Sequence, residues 1–160
     1  MQFTQSISYP GAVDEVVAMY LTPAYLERRF CQFVVEGSST VSVEGQRVSF
    51  AGTVRPELIP AAAARFVKSD LRIAFTEEWT TNEAGASSRT SVTVDGAPVS
   101  VEATSTLTGT ETGCTREVTG NVSVRVPLLG GRIEKEAVSH LGRVVEREQA
   151  LAAQWLEEHR

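Results

Sequence analysis

Residues 130–160, GGRIEKEAVSHLGRVVEREQALAAQWLEEHR, decide the fold of this chain. No proline follows Gly131, and most of the stretch consists of Ala, Leu, Glu, Arg and Gln, which favour the α-helix. At about 1.5 Å per residue, the stretch predicts a helix about 40 Å long, enough to cross a small domain. Its charged residues exclude a membrane span, so we expect this helix to lie across other elements of the same domain.

A projection at about 100° per residue gives the helix an apolar arc about 140° wide, which we expect to face a sheet. The arc consists of Ile133, Ala137, Leu141, Val144, Val145, Leu151, Ala152, Trp155 and Leu156. Glu148 falls near the middle of this arc, where a carboxylate is costly unless it is hydrogen-bonded or paired. Glu134 projects onto the same face, but it lies in the first turn, where it complements the helix dipole and is expected to face solvent.

The first 33 residues predict a strand followed by two short helices. Residues 3–8 alternate between polar and apolar side chains, and residues 12–21 change to helical spacing. Thr22 and Pro23 are typical of a helix start, and a second helix over residues 24–33 follows them. In that helix we expect Tyr25, Leu26 and Phe30 to point inward and Glu27, Arg28 and Arg29 to point outward.

The middle of the chain predicts about six further strands. Turn signals separate strands at Glu44-Gly45, Asn82 to Gly85, Asp95-Gly96 and Thr112-Gly113. Because successive hairpins build antiparallel sheets, we predict an α+β fold in which a sheet of about seven strands packs against the long helix. With 160 residues the chain is expected to be one domain, residues 1–160. Residues 56–66 interrupt the strand pattern where a pocket entrance would fit.

Composition excludes several classes of function. The net charge of −5 and the pI near 5.1 argue against a nucleic-acid partner, because phosphate binding requires a basic surface. The N-terminus lacks the charged leader and apolar core of a signal peptide, and no run of eighteen apolar residues exists. We therefore expect a cytoplasmic protein without stable membrane insertion. Cys31 and Cys114 are expected to be free thiols, unless their strands lie adjacent.

Familiar catalytic and cofactor motifs are missing from the sequence, among them GxSxG, HExxH and the glycine-rich phosphate loop. The two histidines, His140 and His159, are distant from the two cysteines and give no metal-ligand spacing. We predict neither a cofactor nor a metal.

The order of elements resembles the START-like helix-grip superfamily, which includes lipid-transfer domains, polyketide cyclases and pollen-allergen-like proteins. Within it, the opening FTQSISYPGAVDEVVAMYLTPAYLERR (3–29) and the closing LLGGRIEKEAVSHL (128–141) resemble a bacterial family of unknown function. The resemblance implies a curved sheet that grips the last helix around a hydrophobic cavity. It carries over no catalytic residue, because the superfamily shares none.

Glu148 has three interpretations. In the first, it lines a wet or ligand-filled cavity, where burial would raise its pKa toward that of a general acid/base or make it a hydrogen-bond anchor. Alternatively, it pairs with an arginine such as Arg55, Arg65 or Arg72. In the third interpretation a bent or shifted helix end leaves it exposed. Glu148 is the one candidate for catalysis in the sequence.

Glu77 is a second carboxylate on the apolar face of its strand, but a bulge that exposes it is the favoured interpretation. Nothing in the sequence brings Glu77 near Glu148. The predicted ligand-binding residues are Phe50, Phe75, Glu77, Trp79, Leu141, Val144, Glu148, Leu151 and Trp155. They combine an aromatic wall with two carboxylates.

Three functions are consistent with these features. The first is a binding or carrier domain for a small hydrophobic or amphipathic molecule held between the sheet and the last helix. The second is a cyclase- or isomerase-type enzyme that uses Glu148 in the same cavity. The third is a protein–protein interaction module whose core is filled by side chains. The sequence leaves the oligomeric state open.

Overall fold

Seven strands and five α-helices are formed by residues 1–67 and 69–160, the part of the chain that the computed structural model describes. The strands are β1 (Gln2–Tyr9), β2 (Thr40–Glu44), β3 (Arg47–Thr53), β4 (Arg72–Asn82), β5 (Gly85–Asp95), β6 (Val99–Gly109) and β7 (Cys114–Val124). The helices are α1 (Val13–Tyr20), α2 (Pro23–Phe30), α3 (Ala61–Ala64), α4 (Gly130–Ser139) and α5 (Leu141–Glu158), and a 3-10 turn covers Pro56–Leu58.

The strands form one antiparallel sheet in the order β1-β7-β6-β5-β4-β3-β2. Strands β2 to β6 each pair with the next strand in sequence, and β1 completes the sheet by pairing with β7. Gly45 and Gly96 have φ angles of 59° and 95°, which the tight turns after β2 and β5 require and which glycine adopts without strain. The predicted α+β fold, with seven strands and two short helices after the first strand, is confirmed.

The predicted long C-terminal helix is confirmed, with a bend at His140 that divides it into α4 and α5. The hydroxyl of Ser139 donates a hydrogen bond of 2.6 Å to the carbonyl of Glu136, and such back-bonding bends helices. The His140 amide bonds the Ala137 carbonyl at 3.2 Å, which tightens the last turn of α4. Gly142 follows with its low helix propensity. The result is a ten-residue α4 and an eighteen-residue α5.

The two ends of the sheet's inner face are covered differently. At one end, α1 and α5 pack on a buried cluster that includes Tyr9, Trp79 and Leu107. At the other end α4 packs on Val122 and Val124 of β7. The two halves of the C-terminal helix therefore pack on different parts of the sheet, and the bend at His140 lies between the halves.

α4 is fixed to β7 by backbone contact and by a carboxylate. A Cβ atom at Gly130 would lie 2.2 Å from the Val124 carbonyl oxygen, so no other residue fits there without movement. The Glu134 carboxylate accepts a hydrogen bond of 2.9 Å from the Val124 amide. Glu134 was expected to face solvent. Instead its side chain is only 20 % exposed, because it satisfies a strand-end amide.

The cysteines agree with the prediction of free thiols: Cys114 is buried, Cys31 is exposed, and neither forms a disulfide. Burial raises the pKa of the Cys114 thiol to about 11, which makes it unreactive near neutral pH. Among the described residues, no helix combines the length and the apolar character that a membrane crossing requires.

We predict that Gly130→Ala lowers the free energy of unfolding by about 2 kcal/mol or more, because its methyl group collides with a backbone carbonyl. Gly131→Ala is the matched control, since nothing lies within 4 Å of its added Cβ. There alanine should be neutral or stabilising by up to about 1 kcal/mol. Urea denaturation of both variants measures the difference; equal effects would contradict the proposed close contact of α4 with β7.

Candidate functional site

Two distinct regions lie between the helices and the sheet: a cluster of four buried charges and a cavity. The charged cluster consists of Arg29, Glu77, Arg116 and Glu148, which come from α2, β4, β7 and α5. The cavity lies under α4, at the opposite end of the sheet. The sequence predicted that one site would combine these two regions.

Glu148 is buried, with 8 % of its surface exposed. Its Oε1 accepts hydrogen bonds from the hydroxyls of Tyr20 at 2.9 Å and Tyr25 at 3.0 Å. The Nε of Arg29 lies 3.1 Å from Oε1 and 3.2 Å from Oε2. The predicted pairing with an arginine is confirmed, but the partner comes from α2. The interpretation that a bent helix end exposes Glu148 is wrong.

The three arginines suggested as partners of Glu148 contact other groups instead. Arg55 donates to the backbone carbonyls of Val34 and Cys31, and Arg72 donates to the carbonyl of Ser38. The Arg65 guanidinium lies 5.1 Å above the Phe66 ring. Arg29, which was expected to point outward, points inward instead, because two buried carboxylates attract it from β4 and α5.

Glu77 is also buried, with 1 % of its surface exposed. The expected exposure at a bulge is wrong: β4 pairs with β5 without interruption from Arg72 to Asn82, so Glu77 stays on the inner face. Its Oε2 accepts hydrogen bonds from Arg116 at 2.8 Å and from Thr90 at 2.7 Å. Its Oε1 accepts one from the Trp79 indole at 3.0 Å.

The electrostatics of the cluster favour an ionised Glu77 and neutral tyrosines at positions 20 and 25. Burial raises the pKa of Glu77, but the charges of Arg116 and Arg29 and the hydrogen bonds outweigh it, so the pKa lies below its usual value. Burial also raises the pKa of Tyr20 and Tyr25, and the nearby charge of Glu148 adds to the rise. The two tyrosines therefore remain neutral donors to a carboxylate.

Arg29 joins the two carboxylates that the sequence could not bring together. Its Nε bonds Glu148, and its Nη1 lies 4.0 Å from Oε1 of Glu77. Arg116 completes the cluster by donating to the hydroxyls of Ser88 at 3.0 Å and Ser105 at 2.9 Å. Two guanidinium groups thus balance two carboxylates, with protein donors on both carboxylates.

The cavity has a volume of about 620 Å³. Its walls are one face of α4, the ends of the strands at that edge of the sheet, and the segment after β3. The sheet side is mostly valine, including Val99, Val101, Val122 and Val124. Residues 57–60, Ala63, Phe66 and Val67 border the cavity, which agrees with the predicted position of an entrance. Among the described residues, the ionisable side chains in the lining are Glu57, Glu136 and His140.

Among the predicted ligand-binding residues, Leu141 lines this cavity. Phe50 and Phe75 pack instead against Phe30, with ring centroids 4.6 and 4.8 Å from its ring. Trp79 stacks on Tyr20 at 5.5 Å. These aromatic rings lie in the hydrophobic core at the packed end and middle of the sheet.

The remaining predicted residues also lie outside the lining. Trp155 packs edge-on against Tyr25 and stacks on His159 at 3.9 Å. Leu151 is partly buried against the core around Tyr20, whereas Val144 is 43 % exposed. Glu77 and Glu148 belong to the charged cluster. The structure thus separates the predicted aromatic and acidic residues from the cavity.

Sequence analysis missed Arg116, and it expected Tyr25 to point inward without identifying the hydrogen bond of Tyr25 to Glu148. Arg116 had a readable signal, because it has the same parity as Val118, Val122 and Val124 along β7 and therefore shares their inward face. Arg29 had no such signal, since a short helix with several arginines does not reveal which one turns inward.

A family model described as "Protein of unknown function (DUF2505)" matches residues 4–156. The chain belongs to this family. It is 26 % identical to an uncharacterized protein of Mycobacterium tuberculosis over 168 aligned positions, which cover 96 % of this chain and 95 % of that protein.

Solved structures resemble the whole fold. Norcoclaurine synthase from Thalictrum flavum, in complex with dopamine and hydroxybenzaldehyde, aligns with a TM-score of 0.61 and 12 % identity over 100 % of this chain and 88 % of that one. A STAR-related lipid transfer protein from Xanthomonas axonopodis aligns with a TM-score of 0.58 and 14 % identity, over 91 % and 84 %. The curved-sheet, START-like helix-grip architecture is confirmed.

We predict that Glu77→Gln lowers the free energy of unfolding at pH 7 by about 3–5 kcal/mol, because it leaves Arg116 buried without its counter-charge. The folded-state pKa of Glu77 lies below the ordinary value of 4.5. Its contribution is therefore complete above that value and is lost as the pH falls through the folded-state pKa.

Urea denaturation of the wild-type protein and of Glu77→Gln between pH 7 and pH 3 measures both effects. The difference in the free energy of unfolding between the two proteins should become smaller as the pH falls. Glu78→Gln is the matched control, since the Glu78 side chain is 63 % exposed, and it should change stability by less than about 1 kcal/mol. A difference between wild type and Glu77→Gln that does not change with pH would contradict the ionised Glu77–Arg116 pair.

Proposed function

We propose that this protein binds a small hydrophobic or amphipathic molecule in the cavity under α4 and acts as a carrier or receptor for it. One observation supports the proposal most: a cavity of about 620 Å³ whose lining is almost entirely apolar. Binding sites for small molecules have volumes of about 300–1,000 Å³ and a mostly apolar lining with a few polar groups.

The energetics favour an apolar ligand. Burying apolar surface contributes about 25 cal/mol per Å², and the valines of the sheet offer such a surface without competing hydrogen bonds. An apolar cavity of this size forgoes the packing energy that side chains would supply in a filled core. That cost is expected where a ligand occupies the space, and it argues against an interaction module with a filled core.

An enzyme that uses Glu148 is less well supported. The fold is compatible with both carriage and catalysis, since it is shared with a lipid transfer protein and with norcoclaurine synthase. Glu148 lies outside the cavity lining, and its oxygens accept hydrogen bonds from Tyr20, Tyr25 and Arg29. A general base must reach the proton it removes, and a ligand in the cavity would not meet this carboxylate.

The test is binding of Nile red, a neutral apolar dye, followed by its fluorescence. Val101 lies on the sheet side of the cavity, so Val101→Phe fills part of the space and should weaken dye binding at least about tenfold. Val35→Phe is the matched control, because Val35 is 41 % exposed and outside the lining. It should leave binding unchanged, and thermal unfolding should confirm that both variants fold.

Glu148→Gln separates the carrier from the enzyme in the same assay. It should leave the dye affinity within about twofold while lowering stability, because Arg29 loses an ionised partner. Loss of dye binding in Glu148→Gln, together with normal binding in Val101→Phe, would place the ligand at the charged cluster and overturn the proposal. Native mass spectrometry of the purified protein then searches for the mass of a natural ligand.

A further inference from the structure

We propose that the ligand is an amphipathic amine, with an apolar body under α4 and a protonated amino group held by Glu57 and Glu136. This inference rests on the proposed function and names the class of molecule that the same cavity would take. It follows from the polar groups in the lining. Two of them are carboxylates, although the cavity is otherwise apolar.

The two carboxylates belong to different walls of the cavity. Glu57 lies in the 3-10 turn after β3, and Glu136 lies on the face of α4 that also presents Ile133, Ala137 and His140 to the cavity. In the described part of the chain, neither carboxylate forms an ion pair. Both therefore remain available to a cation that enters between the 3-10 turn and α4.

In the described part of the chain, basic side chains near the cavity do not offset the negative charge of the two glutamates within the lining. Across residues 1–67 and 69–160, no lysine or arginine lines the cavity. Arg65 stacks on the Phe66 ring at 5.1 Å and is the guanidinium next to the rim, while Arg55 is bonded to backbone carbonyls. His140 is the third ionisable group in the lining and stands one turn from Glu136 on the same face.

This charge distribution discriminates between head groups. A carboxylate head would meet two like charges at the exposed surface of the cavity, and these charges would repel it. A hydroxyl head would find acceptors but no counter-charge. An ammonium head gains charge-assisted hydrogen bonds to carboxylate oxygens. Affinity should therefore follow the order amine, alcohol, carboxylate for the same hydrocarbon chain.

The experiment displaces Nile red with n-decylamine, n-decanol and n-decanoate at pH 7.5, each below the concentration at which it aggregates. The amine should bind at least about tenfold more tightly than the carboxylate. In Glu57→Gln/Glu136→Gln the preference should fall below about threefold, with the decanol affinity unchanged. Both substituted residues are exposed at the cavity surface, so the variant should fold, and thermal unfolding checks this.

Glu83→Gln/Glu146→Gln is the matched control, because both glutamates are exposed and outside the lining. It changes the net charge equally and should keep the full preference for the amine. Decanoate that binds as tightly as decylamine, or a preference that survives in Glu57→Gln/Glu136→Gln, would overturn the inference and leave the proposed function intact. If Glu83→Gln/Glu146→Gln loses the preference for the amine to the same extent, that result would also overturn the inference. Failure of Nile red and all three decyl compounds to bind would overturn both.

Discussion

Arg29 lies between two buried carboxylates, Glu77 on β4 and Glu148 on α5, and the packing of the helices on the sheet depends on this arrangement. A buried charge that loses its partner costs several kcal/mol. In this cluster two guanidinium groups balance two carboxylates, although Nη1 of Arg29 forms no hydrogen bond. Because Arg29 belongs to α2, any shift of α2 or α5 relative to β4 would separate these charges. The cluster therefore fixes the position of two helices on the sheet, and the tyrosines of α1 and α2 extend its hydrogen bonds.

The opposite end of the sheet is organised by a different contact. There α4 is held to β7 by the close approach of Gly130 and by Glu134, and the break at His140 allows α4 and α5 to follow separate paths. α5 packs against the charged cluster, and α4 packs on the C-terminal end of β7. Part of the space beneath α4 is therefore not filled by side chains. The cavity lies in that space. One fold thus combines a densely bonded polar core with an apolar binding volume.

Much of the fold could be predicted from the sequence, because it depends on local patterns. Alternation, turn signals such as Asp95-Gly96 and the helical composition after Gly131 give the element order and the class of sheet. The break at His140 was missed because a serine hydroxyl bonding back to a carbonyl leaves no distinct trace in a helical sequence.

The site was harder to predict. Glu148 was recognised as unusual, but its partner Arg29 and the distance of both from the cavity depend on how the elements pack in three dimensions.

We expect the ligand to bind away from the charged cluster, and bromine anomalous scattering locates a bound ligand relative to that cluster. Crystals of the protein grown with 1-bromodecane should show a bromine peak, or its attached chain, beneath α4 and within about 4 Å of Val122 or Ile133. A peak beside Glu148 and Trp155, or an apolar space under α4 that stays without bound bromodecane, would contradict this expectation.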